Sequence, residues 1–181
     1  KTQILQTLAG MLEQPQSEKI TTAALAAKVG VSEAALYRHF ASKAQMFEAL
    51  IEFVEESVFT LVNQIAQSER DGRVQANHII DMLLGFAEKN PGMVRVLIGD
   101  ALVNEDGRLQ ARINQLTDRI EASLKQSLQL IPPPGALPAA EAANALVAFV
   151  IGRWHLYAKS GFRRKPTADW SQQAGFLRLS A

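Results

Sequence analysis

Apolar residues spaced three or four positions apart run through almost the whole chain, and this spacing constrains the fold more than any other feature. The clearest example lies within residues 106–130 and consists of Leu109, Ile113, Leu116, Ile120, Leu124 and Leu128. Such spacing places side chains on one face of an α-helix. Sustained alternation of apolar and polar residues, which marks a half-buried strand, is absent, and no Asn-Gly or Asp-Gly hairpin joins two β-branched runs. The sequence therefore predicts an all-α protein.

Capping residues and helix breakers predict where the helices begin and end. Threonine or serine is a favoured N-cap, and Gly30 is suited to the left-handed conformation that ends a helix. The predicted helices cover residues 2–13, 21–29, 32–40, 43–67, 71–90, 93–98, 106–130 and 139–159, with a short last helix after Pro166. The sequence PPPG at 132–135, together with Pro138, predicts one clear loop.

Composition excludes several classes of protein. The 181 residues are 48% hydrophobic and 20% charged, which is enough apolar material for a core and too little charge for a disordered chain. There are no cysteines, so disulfides and zinc–thiolate sites are excluded and a reducing cytoplasm is expected. The longest apolar stretch, 142–151, is too short to cross a bilayer, and we expect no membrane segment.

Two short predicted helices at 21–40 are joined by a tight turn at Gly30, Val31 and Ser32. Small or apolar residues in both helices, such as Ala26 and Leu36, allow them to cross closely. This is the layout of a helix-turn-helix, whose second helix enters the major groove of DNA.

The outer face of that second helix suits DNA. Its short alanines allow close approach to the groove, while Arg38 can pair with guanine or phosphate, and Tyr37 and His39 suit phosphate oxygens or thymine methyl groups. The candidate DNA-binding residues are Thr21, Thr22, Ser32, Ala34, Ala35, Tyr37, Arg38, His39 and Lys43. Taken alone, the same pattern also fits a helical hairpin with a solvated polar face.

The segment ITTAALAAKVGVSEAALYRHFASKAQMFEAL resembles the N-terminal domain of the TetR family of DNA-binding proteins. Tyr37, His39, Phe40 and Lys43 match the family pattern at the end of the recognition helix and the start of the fourth helix. The resemblance implies a three-helix DNA-binding domain at 1–44, a helical dimerisation and partner-binding body at 45–181, and a two-fold homodimer.

A narrower resemblance covers LIEFVEES around Phe53, the segment 83–97 and the segment 106–124. These segments are similar to the nucleoid-occlusion division inhibitors of the TetR family. The resemblance implies binding to palindromic double-stranded DNA on the nucleoid and, in the DNA-bound state, disruption of polymers of the division protein FtsZ. The positions that match the partner-binding face are Phe53, Met82, Gly85, Lys89 and Asn90. Leu61 departs from the family pattern, which has a basic residue at this position of the fourth helix.

Helical projections give independent information about this face. The fourth helix has a predicted core stripe of Phe47, Ile51, Val54, Val58, Leu61 and Ile65. Phe53 falls outside that stripe, beside Met46 and Gln64. The fifth helix is predicted to bury Ala76, Ile79, Ile80, Leu83, Phe86 and Ala87, with His78, Met82, Gly85 and Lys89 on a flank. The off-stripe residues fit a protein contact, or simple packing on a neighbouring helix.

The long helices at 106–130 and 139–159 are the predicted dimerisation pair, since each is read as amphipathic on more than one side. Such a dimer would place two recognition helices about 34 Å apart. The acidic residues Asp100, Glu105 and Asp106 are expected to favour the N-terminal dipole of the first of these helices.

Two features remain open at the level of sequence. The basic run Arg153, His155, Lys159, Arg163, Arg164 and Lys165 fits either a solvated helix end or a second, non-specific phosphate contact. The body fits either a division inhibitor or a ligand-responsive repressor, whose sign would be polar residues facing inward. An enzyme is not supported by any nucleophile–base pair, and the three histidines have no metal-ligand spacing, so neither metal nor cofactor is expected.

Overall fold

The computed structural model describes residues 1–14, 19–132 and 138–177, and in these ranges the chain is built from helices without any strand. The helices are α1 (Thr2–Leu12), α2 (Thr22–Val29), α3 (Glu33–Tyr37), α4 (Lys43–Ser68), α5 (Gly72–Lys89), α6 (Pro91–Leu97), α7 (Gly107–Gln129), α8 (Ala139–Lys159) and α9 (Trp170–Phe176). A single 3₁₀ turn at Asp100–Leu102 lies between α6 and α7. The predicted all-α fold is confirmed. Of the predicted loop at 132–135, positions 133–135 lie outside the described residues.

Helices α1, α2 and α3 form the head of the molecule. Leu25, Ala26 and Leu36 are buried where α2 and α3 cross. Helix α3 is shorter than the predicted 32–40 and ends at Tyr37. The backbone then tightens into a turn, in which the N–H groups of His39 and Phe40 both donate to the Leu36 carbonyl. This turn brings Phe40 into the core.

Helix α4 connects the head to the body. Its 26 residues make it about 39 Å long, and it crosses the predicted domain boundary at 44/45 without a break. The predicted core stripe is wrong at one position: Leu61 is 39% exposed, whereas Val62 is 5% exposed. Met46, predicted beside Phe53 and off the core, is fully buried, because the first turns of α4 pack against α1 as well as against the body.

The body is formed by α5 to α8. The predicted buried positions of α5 and α7 are confirmed. Helix α7 packs against α4, α5 and α8 through this single apolar face, and the rest of its surface is polar or small. The prediction that α7 is amphipathic on more than one side is therefore wrong.

Two polar side chains, Gln75 and Ser127, are buried in the body. The Ser127 hydroxyl donates to Gln75 Oε1 at 2.9 Å, and Gln75 Nε2 donates to the Glu69 carbonyl at 2.7 Å. These two hydrogen bonds satisfy the buried polar groups within the protomer and join α5 to α7. The buried pair therefore does not require a bound ligand.

The direction of the helices places the end of α8 near the head. Helix α7 starts beside the head and runs away from it, and α8 returns antiparallel to α7. At the returning end, Lys159 is paired with Asp100, whose other partner, Arg95, donates to the Leu12 carbonyl of α1. The predicted last helix after Pro166 is found as α9, which packs Trp170 on Phe149 of α8 with ring centroids 5.6 Å apart.

Candidate nucleic-acid interface

Two hydroxyl groups fix the geometry of the helix-turn-helix. Thr21 Oγ1 accepts from the Ala24 N–H at 3.1 Å, and Ser32 Oγ accepts from the Ala35 N–H at 3.2 Å. Between them, Gly30 has a φ of +81°, a conformation that glycine adopts without the steric cost of a side chain. The predicted caps and the predicted left-handed stop are confirmed by these contacts.

The outer face of α3 and of the turn after it is open to solvent. Tyr37 is 45% exposed, and Ala34, Arg38 and His39 are also exposed, while Ala35 is half-buried. The Tyr37 hydroxyl donates to Thr22 Oγ1 at 3.4 Å, and the Thr22 hydroxyl donates to Glu33 Oε2 at 2.7 Å. This chain of contacts orients the phenol and the threonine together. Glu33 was not predicted as part of the face.

Lys43 lies at the first turn of α4 and is held by the body. Its ammonium group donates to Glu105 Oε1 at 2.5 Å, and the two side chains are only 18% and 11% exposed. Nearby, Lys19 Nζ donates to the Asn104 carbonyl at 3.3 Å. The segment before α7 therefore contacts the head through two cations.

The acidic residues before α7 have separate roles. Asp106 is the N-cap of α7, and its side chain accepts from the Arg108 N–H at 3.1 Å, as the predicted dipole role requires. Glu105 and Asp100 instead bind side-chain cations. Burial raises the pKa of Asp100, but the hydrogen bonds from Lys159 and Arg95 outweigh it and lower that pKa below its ordinary value. Asp100 is thus charged and ties the end of α8 to α6.

The candidate partner face lies on α4 and α5. Phe53 is 49% exposed, and its ring centroid lies 6.4 Å from that of the buried Phe86. Phe53 thus packs on a neighbouring helix, as one predicted alternative has it, and still exposes half of its surface, while the protein contact stays a prediction. Met82 is half-buried and lies one turn before Phe86 on α5.

The other residues of this face differ in how much the fold needs them. A Cβ added at Gly85 would meet no atom within 4 Å, so packing does not require glycine there. Lys89 is exposed. Asn90 is half-buried, and its side-chain amide donates to the Phe86 carbonyl at 2.9 Å, which closes the junction of α5 and α6.

Within the described ranges, no group of three or more His, Cys, Asp or Glu side chains could hold a metal ion. In the same part of the chain, the helices are all too short or too polar to span a membrane.

A helix-turn-helix head of three helices on a larger helical body is the architecture of TetR-type DNA-binding regulators. The profile of the family described as bacterial regulatory proteins, tetR family, matches residues 13–50. A second profile, described as a tetracyclin repressor-like C-terminal domain of the SlmA-like kind, matches residues 70–180.

Relatives with known roles identify the branch of that class. The nucleoid occlusion factor SlmA of Alteromonas mediterranea is 52% identical over 177 residues, covering 96% of this chain and 91% of the relative. SlmA of Marinomonas sp. is 51% identical, covering 96% and 90%, and SlmA of Shewanella pealeana is 50% identical, also covering 96% and 90%. The chain belongs to the SlmA family of nucleoid occlusion factors. This family is of the TetR regulator type, which is not a family of enzymes.

Solved structures at lower identity share the fold. The TetR family regulator PfmR of Thermus thermophilus superimposes with a TM-score of 0.76 at 20% identity, covering 97% of each chain. A TetR-like regulator of Rhodococcus sp. gives a TM-score of 0.75 at 19% identity, covering 98% of this chain and 92% of that chain.

Proposed function

We propose that this protein is a nucleoid occlusion factor that binds palindromic double-stranded DNA as a homodimer and, when bound, antagonises FtsZ polymerisation. The observation that carries the proposal is the identity of about half of all residues with proteins named for this role, over 96% of the chain. In this proposal the protein acts in the cytoplasm, on the nucleoid, and prevents division over the chromosome.

The proposed DNA contacts divide into two groups. The exposed side of residues 34–39 faces the base edges and supplies specificity, because short side chains there leave Arg38 and His39 room to reach the groove. Thr21, Thr22, Tyr37 and Lys43 supply sequence-independent contacts to phosphate, and Ser32 places the start of α3 against the backbone. The orientation of Tyr37 by Thr22 and Glu33 supports this division.

The proposed dimer interface is formed by α8 and α9. Along the exposed face of α8, Ala145, Ala148, Gly152 and Leu156 follow one another at helical spacing. A Cβ at Gly152 would meet nothing within 4 Å in the protomer, so another helix has room to approach there. On α9, which packs beside α8, Phe176 is 88% exposed. Because the exposed side of α7 is polar, α9 replaces α7 in the predicted dimerisation pair.

The proposed FtsZ-binding surface consists of Phe53, Met82, Gly85, Lys89 and Asn90. Phe53 exposes half of its ring beside Phe86, Gly85 has open space where a side chain would be, and Lys89 adds one positive charge. These features suit a partner segment that places an apolar side chain on the ring. Leu61 lies about two turns further along α4 and is exposed, so this chain adds apolar surface where the family pattern has a charge.

Two substitutions test the proposal by separating its two surfaces. Tyr37→Ala is expected to lower the affinity for a cognate palindrome about tenfold while leaving the dimer and the partner surface intact. Phe53→Ala is expected to leave DNA affinity unchanged and to abolish the effect on FtsZ polymer. Titration of labelled duplex and sedimentation of FtsZ measure the two effects. Equal loss of DNA affinity in both variants would show that the face around Phe53 serves the fold and not a partner.

A further inference from the structure

A short basic loop follows α8, at residues 160–168, and exposes three consecutive cations, Arg163, Arg164 and Lys165. Some cations elsewhere in the part of the chain that the structure describes, such as Lys43 and Arg112, are held in ion pairs with carboxylates. None of the ion pairs among the described residues involves Arg163, Arg164 or Lys165. Arg163 Nε donates to the Ser160 carbonyl at 2.9 Å, and Lys165 Nζ lies 5.7 Å from the ring centroid of Tyr157. No carboxylate among the described residues neutralises these three charges, so each can still bind an external anion.

The first half of the basic loop is fixed by local contacts. Ser160 Oγ accepts from the backbone N–H groups of Arg163 and Arg164 at 3.1 and 2.8 Å. Phe162 has a φ of +61°, in the left-handed region that aromatic residues rarely adopt. Its ring stacks edge-on against Tyr157, with centroids 5.2 Å apart. A strained but well-packed residue thus turns the cations outward.

The second half of the basic loop is fixed from α8 and α5. Arg153 of α8 donates to the carbonyl of Pro166 at 3.0 Å and also to that of Ala168. Thr167 donates to Glu88 of α5 through its backbone N–H at 3.0 Å. Arg153 and Glu88 therefore hold the loop in place, so a ligand has to order the three cationic side chains but not the loop backbone.

The position of the basic loop suggests its ligand. The loop starts where α8 returns to the head, one residue after Lys159, which is linked through Asp100 and Arg95 to the last turn of α1. The loop is therefore at the end of the body that carries the helix-turn-helix. If α8 lies at the dimer interface, the two basic loops of a dimer lie close to the two-fold axis, between the two recognition helices.

The charges around the basic loop are mainly positive. Asp169 is exposed beside the cations, while Glu88 and Asp100 are already engaged by Thr167 and by two basic side chains. Thr167 is neutral, so Glu88 keeps its negative charge, and Glu13 also lies near enough to Tyr157 to act on its charge state. The cations Arg153, Arg163, Arg164 and Lys165 still outnumber these two carboxylates and Asp169, which leaves a net positive surface. DNA held by the head carries one negative charge per about 1.7 Å of its axis, so it would bring a dense array of phosphates to this end of the molecule.

We propose that Arg163, Arg164 and Lys165 bind the phosphate backbone of the DNA held by the two heads, as a second, sequence-independent contact made by the body. This inference rests on the proposed DNA-binding function. It assigns part of the affinity, and none of the base specificity, to a loop more than 100 residues away in sequence from the recognition helix.

The test measures the salt dependence of DNA binding. Wild-type protein and the variant Arg163→Ala/Arg164→Ala/Lys165→Ala are titrated against a cognate palindrome and a random duplex at several salt concentrations. The slope of log affinity against log salt is expected to become shallower in the variant by about 0.9 for each phosphate that the loop no longer neutralises. The change in slope should be the same for both duplexes. The variant Arg163→Lys/Arg164→Lys should retain the wild-type slope, because charge alone is needed.

A matched control removes the same charge at the opposite end of the body. Arg70, Arg73 and Lys125 are exposed and lie near the close contact of Gly72 with the Ser127 carbonyl, a full α4 length from the head. Their triple alanine variant should keep the wild-type slope. If both triple variants alter the slope equally, only the net charge matters and the inference is wrong.

Two further outcomes would overturn the inference. An unchanged slope in the loop variant, with wild-type protein binding its palindrome normally, would reject the phosphate contact while leaving the proposed DNA-binding function intact. The loop variant could instead keep the wild-type slope but no longer float with phosphatidylglycerol vesicles that carry the wild-type protein. That result would assign the basic loop to lipid headgroups. Failure of wild-type protein to prefer any palindrome would count against the proposed function itself.

Discussion

Lys43, a proposed DNA contact, is also held by the body of the protein. It lies at the first turn of the helix that joins the head to the body, and its ammonium group is 2.5 Å from the carboxylate of Glu105. A phosphate approaching the head would have to compete with that carboxylate or share the ammonium group with it. The ion pair connects the start of α4 to the segment before α7, and, if Lys43 binds phosphate as proposed, it opposes DNA binding by a small amount.

Replacing Glu105 with Gln is expected to raise DNA affinity. The substitution keeps the shape of the side chain but removes the competing charge, and a partly exposed ion pair has a strength of about 1 kcal/mol, so the affinity for any duplex should rise roughly three- to tenfold. Glu56→Gln is the control, because it makes the same change of charge at an exposed position of α4. An affinity unchanged by Glu105→Gln would show that Lys43 does not contact DNA.

The sequence predicted the exposed face of the helix-turn-helix well, because side-chain type and position on a short helix are local properties. Tyr37, Arg38 and His39 are exposed as expected. Glu105 as the partner of Lys43 was not predicted, because the two residues are 62 positions apart and nothing in the local sequence joins them. The roles of the residues at DNA and at FtsZ remain predictions.

At the scale of the helices, periodicity predicted which elements exist but not every buried position. The predicted stripe of α4 alternated steps of three and four residues, which is a period of 3.5 and drifts from the 3.6 residues of a straight helix by about 20° per heptad. The structure corrects the drift by stepping from Val58 to Val62, and Leu61 becomes exposed. Periodicity also missed the burial of Met46, which lies on a helix that packs against α1 as well as against the body.

Two glycines of α5 are expected to respond oppositely to substitution by alanine. A Cβ at Gly72 would lie 2.1 Å from the Ser127 carbonyl oxygen, so α5 and α7 would have to separate, and Gly72→Ala should destabilise the fold by about 1–3 kcal/mol. At Gly85 there is open space, and Gly85→Ala should stabilise α5 by about 0.5–1 kcal/mol. Urea unfolding followed by circular dichroism measures both free energies. Equal stabilities of the two variants would contradict the described packing of α5 on α7.

At the scale of the whole molecule, the proposed dimer depends on which surfaces the fold leaves exposed. The sequence predicted α7 as a dimerisation helix because it was interpreted as amphipathic on more than one side. The fold uses that apolar face entirely within the protomer, against α4, α5 and α8. Only the tertiary structure shows that α8 and α9 also leave apolar side chains exposed, with Leu156 40% and Phe176 88% exposed.

Charged residues at this surface are expected to prevent dimerisation. Leu156→Asp/Phe176→Asp should sediment as a folded monomer, because each carboxylate would be buried without a partner in the dimer interface. DNA affinity should then fall, since a monomer offers only one recognition helix to the palindrome. Leu130→Asp is the control, because Leu130 is 55% exposed at the end of α7, outside the proposed interface. Sedimentation equilibrium distinguishes the outcomes, and a dimer that survives the double substitution would place the interface elsewhere.

The central claim is that DNA converts this protein into an antagonist of FtsZ. The measurement that tests it most directly is sedimentation of polymerising FtsZ with this protein, with and without a cognate palindromic duplex. The account predicts that pelleted polymer decreases only when the duplex is present, and that Phe53→Ala abolishes the decrease while still binding the duplex. Polymer that is unchanged with wild-type protein and duplex would contradict the claim and leave a DNA-binding dimer of another purpose.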